Sequence, residues 1–266
     1  PEFLIEETNQ SLADTKVWLD ASGQFGPLVK PIITPRFVPS CTSELMTGLA
    51  KLAKEYDVPV QSHLSENHGE IDWVASLHPE SSNYTDVYYE HHLMGTVPTV
   101  MAHCIHLSDV EMDRMAETQT MVSHCPYSNV NLSSGIAPIR KLIERNIPIG
   151  LGSDISGGHI VSMAKVLTEA IGLSKMKWAE VDPNYAPLTL SEAFYMATKG
   201  GGQFFGHVGS FEKGYELDAL IIDDTSLFDP NERSLEERLE RWLYVGDDRH
   251  IIERYVAGRV VPSPKG

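Results

Sequence analysis

Short apolar segments alternate with helical patterns between residues 29 and 197, and this alternation constrains the fold more than any other feature. The segments predicted to be strands cover residues 29–37, 58–65, 97–103, 120–124 and 147–154. Strands that alternate with helices form a parallel sheet whose crossovers are helical. The sequence therefore predicts an α/β fold.

The segments between the strands carry helical spacing and helix-start signals. Apolar residues with a 3.6-residue period follow the Ser/Thr-rich stretch at 40–43, namely Leu45, Leu49, Leu52, Ala53 and Tyr56. Ser108 with Glu111, and Thr189 with Glu192, have the spacing of capping boxes. We further predict helices over residues 66–77, 135–145 and 162–175, and expect the helix that begins near Thr189 to run through Ala197.

The sequence pattern changes after Gly206. Residues 217–222 and 254–261 are predicted strands of a smaller β unit, with a charged helix over 234–243 between them. We therefore predict two parts, an α/β part over residues 1–208 and a small β-rich part with a helix over residues 209–266.

A polar residue lies at or near the C-terminal end of each of the five predicted strands. These residues are Arg36, His63, His103, His124 and Asp154. The carboxyl ends of parallel strands meet at one edge of the sheet, where the active sites of α/β barrels lie. One strand-end histidine is more often a hydrogen-bonded structural residue than a ligand, but five polar residues at one edge indicate a site. Imidazole and carboxylate are also ligands that suit Zn²⁺.

Composition excludes several classes of partner. The chain has 21 Lys and Arg against 37 Asp and Glu, a formal charge of −16, which disfavours nucleic acid and anionic membranes. No apolar run approaches the roughly 20 residues that span a bilayer. The start PEFLIEETNQ lacks the pattern of a signal peptide. The three cysteines fit neither a disulfide framework nor a zinc knot, so we expect a reducing cytoplasm.

Several motifs resemble a known superfamily. SHLSE at 62–66, MAHCIHLS at 101–108, SHCPYSNVNLSSG at 123–135 and GLGSDISGG at 150–158 resemble, in order and spacing, the amidohydrolase superfamily of metal-dependent deaminases. TPRF at 34–37, ATKGGGQFFG at 197–206 and VGDDRHIIERYVAGRVV at 245–261 are similar to its guanine deaminase family. The resemblance extends from about residue 30 to residue 261.

This resemblance implies a fold and a set of catalytic roles. The fold is a (β/α)8 TIM-type barrel with a small β-sandwich domain, and residues 1–208 would be the C-terminal portion of the barrel. His63 and Asp154 are implied to be zinc ligands. Glu66, His103 and Asp154 are implied to be catalytic, with Glu66 moving protons between water and substrate.

The resemblance also implies a substrate. Arg36 would hydrogen-bond the polar edge of a purine and Phe37 would stack on its ring, while His63 and Glu66 also contact it. The implied reaction of purine catabolism is guanine plus water giving xanthine and ammonia, with zinc as cofactor. Family precedent and an exposed sheet edge favour a homodimer.

One part of the family pattern does not occur in the sequence. Family members carry a His-x-His pair of zinc ligands on the first barrel strand, and this sequence contains none. His91-His92 has the wrong spacing and lies in YYEHHLMG, which we interpret as a solvated loop. The predicted strands correspond to barrel strands four to eight, so the first three are expected to be absent. With two zinc ligands instead of four, we expect little activity of the chain alone, and association with itself or with the absent half.

Two alternatives to a guanine deaminase remain open. The first is a related amidohydrolase that deaminates another aminopurine, a triazine or a pyrimidine, because specificity in this fold depends on loops. The second is a non-catalytic fragment that acts as an assembly module. An assay against a panel of aminopurines separates the first from guanine deamination, and metal analysis tests the second.

Overall fold

The computed structural model describes residues 2–262. The chain forms two compact units. The first comprises Pro1–Val122 with Lys141–Pro148, and the second comprises Ser123–Arg140 with Ile149–Gly266. Within the described residues, no helix is both long enough and apolar enough to cross a membrane. The predicted boundary near residue 208 stays a prediction.

Helices make up most of the regular structure. The α-helices are α1 (Thr8–Ala21), α2 (Ser43–Tyr56), α3 (His68–Leu77), α4 (Tyr84–Glu90), α5 (Asp109–Glu117), α6 (Pro126–Asn131), α7 (Ile139–Glu144), α8 (Met163–Glu180), α9 (Leu190–Tyr195) and α10 (Leu235–Val245). A single π-helical turn, Met196–Gly200, continues α9. The predicted capping boxes of α5 and α9 are both present.

The strands are short. They are β1 (Val60–Leu64), β2 (Thr99–His103), β3 (Met121–His124), β4 (Ile149–Leu151), β5 (Ala219–Ile222), β6 (Ile251–Val256) and β7 (Arg259–Val260). In the first unit, β1 and β2 pair in parallel, with Val60 opposite Thr99 and Leu64 opposite His103. The parallel α/β architecture that the alternating pattern predicts is therefore confirmed.

Burial alternates along the paired strands of the first unit. Val60, Ser62 and Leu64 of β1 are buried, while Gln61 and His63 are more accessible. This period of two is expected when successive side chains point to opposite faces of a sheet. His63 therefore belongs to the more accessible face of β1.

The predicted strand at 29–37 is mostly extended chain, so this prediction is wrong in extent. Its regular pairing is one parallel bridge, Ile33 to Val60. Pro31 and Pro35 flank this bridge and have no backbone N–H to donate to a ladder. The segment still lies along β1, since the His63 N–H donates to the Arg36 carbonyl at 3.2 Å.

The segment YYEHHLMG is not a solvated loop, contrary to the prediction. Its first three residues belong to α4, in which Tyr88 is fully buried. Leu93 and Met94 are buried as well. A polar residue such as Tyr88 can lie in the core here because its hydroxyl has hydrogen-bond partners inside the fold.

Two predicted helices begin later than expected. The helix predicted over 66–77 begins at His68, because Asn67 and Glu70 form a capping box there. The helix predicted over 135–145 is Ile139–Glu144. Pro138 accounts for that delay, since the residue before a proline disfavours helical backbone.

The second unit contains an antiparallel sheet with the order β5-β6-β7. The predicted strand over 254–261 is in fact the end of β6 and the short β7. A turn divides them at Ala257 and Gly258, where φ is 48° and 73°. Two adjacent residues with positive φ are the usual geometry of a two-residue hairpin turn.

Candidate active site

The end of β1 places two predicted site residues on either side of an unusual turn. His63 is the fourth of five residues in the strand, and Glu66 follows two residues after its end. Ser65 between them has a φ of 50°, in the left-handed region that residues with a side chain rarely adopt. Such conformations cluster at functional sites, where the surrounding structure enforces them.

A hydrogen bond fixes the tautomer of His63. Its ring Nδ1 lies 2.6 Å from the carbonyl oxygen of Arg36. Because a carbonyl oxygen only accepts, Nδ1 carries the proton and the lone pair of a neutral ring lies on Nε2. Metal-binding histidines are oriented by this kind of second hydrogen bond. His63 therefore has the tautomer that a metal ligand needs.

His103 at the end of β2 lies beside both residues. Its ring stacks on that of His63, with centroids 5.3 Å apart and planes 29° from parallel. Its Nε2 is 3.8 Å from Oε2 of Glu66. His103 is buried and has a φ of 71°, so its backbone is also in the left-handed region. The structure thus brings together three of the predicted site residues.

Arg36 and Phe37 lie in the extended segment beside β1. Arg36 is exposed, and within residues 2–262 its guanidinium makes no ion pair. Phe37 is half-buried and meets Trp73 of α3 edge-on, with ring centroids 6.2 Å apart. Trp73 was not among the predicted site residues, and its position at the edge of Phe37 depends on the packing of α3.

Asp154 lies in the second unit, after β4. Its φ is 44°, and the N–H of Gly158 donates to its carbonyl oxygen at 2.6 Å. A β-carbon at Gly157 would lie 2.6 Å from Oδ2 of Asp154 and 2.7 Å from Oγ of Ser128. The glycine therefore keeps open the space in front of the carboxylate. His124, which ends β3, is buried.

His63 of the first unit and Asp154 of the second each carry a donor type that suits a metal ion. Over the described range, no three His, Cys, Asp or Glu side chains approach to metal-binding distance. His63 presents Nε2, and the carboxylate of Asp154 is half-buried with open space at Gly157. Both donor types are ones that zinc accepts.

The sequence analysis missed the residues that hold the turn after β1. Glu70 is buried and accepts hydrogen bonds from the N–H of Glu66 at 2.8 Å and from the hydroxyl of Tyr84 at 2.7 Å. Tyr88 donates to the carbonyl oxygen of His63 at 2.7 Å. The Asn67-x-x-Glu70 spacing could have identified Glu70 as a capping residue, but no sequence pattern indicates the roles of Tyr84 and Tyr88.

The fold and these motifs define the class of protein. A sequence model of the amidohydrolase family matches residues 6–261. The chain belongs to the amidohydrolase family.

Comparison with individual proteins shows which members of the family the chain is similar to. A guanine deaminase of Dictyostelium discoideum is 44% identical over 271 residues, covering 98% of this chain and 59% of the relative. The crystal structure of the guanine deaminase from C. acetobutylicum, with guanine bound in its active site, is 52% identical with a TM-score of 0.95. It covers 98% of this chain and 62% of that one.

An E. coli guanine deaminase structure is 34% identical, with a TM-score of 0.90, and covers 100% of this chain and 61% of that chain. The predicted resemblance to guanine deaminases is therefore confirmed. The chain spans about three-fifths of the length of these relatives.

Proposed function

We propose that this chain carries the proton-transfer and substrate-binding residues of a guanine deaminase, which hydrolyses guanine to xanthine and ammonia. The observation that carries this proposal is the 52% identity, over 98% of the chain, to an enzyme solved with guanine in its active site. The cluster of His63, Glu66 and His103 supports it, because proton carriers must lie together for deamination.

Glu66 is the proton carrier in this proposal. Deamination needs a proton on the ring nitrogen of the substrate before water attacks, and another on the departing amine. A carboxyl group that is not itself a metal ligand can take protons from water and deliver them to both nitrogens. In this proposal His103 stabilises the charge of that carboxylate and of the reacting centre, which the 3.8 Å between its Nε2 and Oε2 of Glu66 supports.

His63 and Asp154 are the proposed zinc ligands. Zinc, when bound, would make a water molecule acidic enough to react near neutral pH. The Arg36 carbonyl orients His63, and Gly157 leaves room at the carboxylate of Asp154. We retain the expectation that the chain alone has little activity, because two ligands hold zinc more weakly than four.

Arg36 and Phe37 are the proposed purine contacts, together with His63 and Glu66. The exposed guanidinium can donate hydrogen bonds to the O6 edge of guanine. Phe37 offers a ring for stacking on the purine, and it meets the ring of Trp73 in a T-shaped arrangement. The proposal also includes a (β/α)8 barrel to which this chain contributes strands four to eight, a homodimer and a cytoplasmic location.

The direct test is xanthine formation from guanine by the purified chain with added zinc. The same assay is applied to a hybrid that joins the chain to the part of the C. acetobutylicum enzyme that it does not match. We expect turnover by the hybrid and little by the chain alone. A hybrid that folds and binds zinc without deaminating guanine would contradict the proposal.

A panel of aminopurines, aminotriazines and cytosine, run on the same hybrid, tests the substrate. Preference for guanine by tenfold or more is expected if Arg36 hydrogen-bonds the exocyclic O6, since a polar contact left unpaired costs about 1–3 kcal/mol. Arg36→Lys retains the charge but loses the planar fork of donors, so the preference for guanine should fall.

A further inference from the structure

Helix α4 is linked by hydrogen bonds to His63, two residues before Ser65, and through Glu70 to Glu66, the residue after it. Helix α4 contributes Tyr84 and Tyr88, whose rings stack with centroids 5.5 Å apart. Both tyrosines are buried. Nothing in the roles assigned to His63 and Glu66 explains why two hydroxyl groups lie in the core beneath them.

The hydroxyl of Tyr88 holds β1. It donates to the carbonyl oxygen of His63 at 2.7 Å and lies 2.7 Å from Oγ of Ser62. When the tyrosine proton goes to the carbonyl, the Ser62 hydroxyl is the donor in this contact; the same hydroxyl also lies 3.3 Å from the carbonyl oxygen of Arg36. His63 is therefore held at both ends, by Tyr88 at its backbone and by Arg36 at its ring.

The hydroxyl of Tyr84 is linked to Glu66 through the carboxylate of Glu70. It donates to Oε1 of Glu70 at 2.7 Å, while Oε2 of the same carboxylate accepts from the N–H of Glu66 at 2.8 Å. Oε2 also accepts from the N–H of Asn67, at 3.4 Å. The carboxylate of Glu70 thus accepts three hydrogen bonds and links α4 to the backbone of Glu66.

This network adds to the backbone hydrogen bonds that hold the strained turn, in which the carbonyl of Ser65 accepts from the N–H groups of Ile105 and His106 at 3.2 Å. A residue at φ 50° such as Ser65 returns to a relaxed conformation unless its neighbours are held on both sides. Tyr88 fixes the carbonyl group of His63 before Ser65, and Glu70 fixes the N–H group of Glu66 after it. Burial raises the pKa of both tyrosines, so the hydroxyls keep their protons over the whole working range of pH.

We propose that Tyr88 positions His63 for metal binding and that Tyr84, through Glu70, positions Glu66 for proton transfer. The two tyrosines are positioning residues whose principal partners differ, since the Tyr84 hydroxyl lies 2.7 Å from Oε1 of Glu70 and 3.4 Å from the carbonyl oxygen of His63. This inference rests on the proposed function for the roles of His63 and Glu66, but its geometry is independent of the substrate.

The test compares three tyrosine-to-phenylalanine variants of the same helix. Tyr88→Phe is expected to weaken zinc binding about tenfold, the lower end of the loss seen when an outer partner of a metal ligand is removed. Tyr84→Phe is expected to lower kcat about tenfold and to weaken zinc binding less than Tyr88→Phe does, because its hydroxyl is 3.4 Å from the carbonyl oxygen of His63 and that of Tyr88 is 2.7 Å away. Tyr89→Phe is the matched control, because Tyr89 is exposed and its ring packs on Arg114.

Two readouts do not depend on turnover. Zinc affinity is measured by competition with a chromophoric chelator. Hydrogen exchange of the Glu66 amide is measured by NMR and should accelerate in Tyr84→Phe and in Glu70→Gln, which perturbs the same carboxylate. Tyr88→Phe should leave that amide less affected than Tyr84→Phe does.

If the tyrosines only stabilised the fold, their replacement would change stability, zinc affinity and amide exchange together. Val87→Ala removes buried methyl groups from the same helix and should lower Tm without separating zinc affinity from amide exchange. The proposal is overturned if the two buried-tyrosine variants behave like Val87→Ala or like Tyr89→Phe. If the wild-type hybrid binds zinc but does not act on guanine, the proposed function fails, while the zinc and exchange measurements still decide this inference.

Discussion

The ring Nδ1 of His63 lies 2.6 Å from the carbonyl oxygen of Arg36. This contact joins a predicted metal ligand to the segment that carries Arg36 and Phe37, two of the four predicted purine contacts. It also assigns the ring proton, which no sequence pattern can do. A change in the extended segment around Arg36 is therefore expected to affect metal binding as well as substrate binding.

His63→Asn is expected to weaken zinc affinity by about 100-fold or more. A direct ligand contributes more than the outer partners whose removal costs about 10- to 100-fold. The measurement is a competition titration against a chromophoric chelator. His92→Asn is the control, because His92 is exposed and has a φ of 60°, a conformation that asparagine tolerates. Equal affinities for both variants would remove His63 from the ligand set.

Glu66→Gln is expected to lower kcat by about 10²- to 10⁴-fold, the usual contribution of a general acid and base. Zinc affinity should not change, because this carboxyl group is proposed to carry protons and not to bind metal. Steady-state kinetics of the hybrid measure the effect. Asp72→Asn, an exposed carboxylate on α3, serves as the control and should retain full activity. Near-normal turnover by Glu66→Gln would assign proton transfer to another group.

Gly157→Ala is expected to weaken zinc binding and activity together. The added β-carbon would lie 2.6 Å from Oδ2 of Asp154, closer than packing allows, so the carboxylate must move. Inserting a methyl group into such a space costs about 1–3 kcal/mol. The free energy of unfolding and the zinc affinity are measured on the same samples.

The matched control for that change is Gly172→Ala. A β-carbon at Gly172 meets nothing within 4 Å, and the residue lies inside α8. This variant should be about 0.5–1 kcal/mol more stable, because alanine loses less backbone entropy in a helix. A Gly157→Ala protein with unchanged zinc affinity would show that the carboxylate does not need this space.

The Arg140–Glu192 ion pair is expected to make the stability of the second unit depend on pH. Hydrogen bonds from Arg140 lower the pKa of Glu192 from 4.5 to about 2. Because the folded pKa is lowered, the stabilisation is fully present above about pH 4.5 and is lost as pH falls towards 2. Glu192→Gln should cost roughly 1–2 kcal/mol at pH 7, as for a bidentate pair that is partly exposed.

Urea unfolding of wild type and Glu192→Gln between pH 2 and 7 measures this dependence. The difference between the two proteins should be constant at neutral pH and shrink below pH 4.5. Glu212→Gln, at the exposed Lys199–Glu212 pair, should differ little from wild type at any pH. A difference that persists at pH 2 would mean that Glu192 stabilises the fold by packing and not by charge.

Local sequence patterns predicted the elements whose causes are local. The capping boxes at Ser108 and Thr189 are present because their partners lie three residues away. The grouping of His63, Glu66 and His103 was also predictable, since strand-end residues of parallel neighbours converge. The predicted strand at 29–37 was too long, because its two prolines cannot donate backbone hydrogen bonds to a neighbouring strand.

Only the tertiary structure decided what holds that group in place. Tyr88 hydrogen-bonds a carbonyl oxygen 25 residues earlier in the chain, and its segment looked like a polar loop. Glu70 is a helix cap by its spacing, but its second partner, Tyr84, lies in another helix. Such contacts join residues distant in sequence, and they form only when packing makes burial of their polar groups favourable. The sequence thus determined which groups could act, and the fold decided how they are oriented.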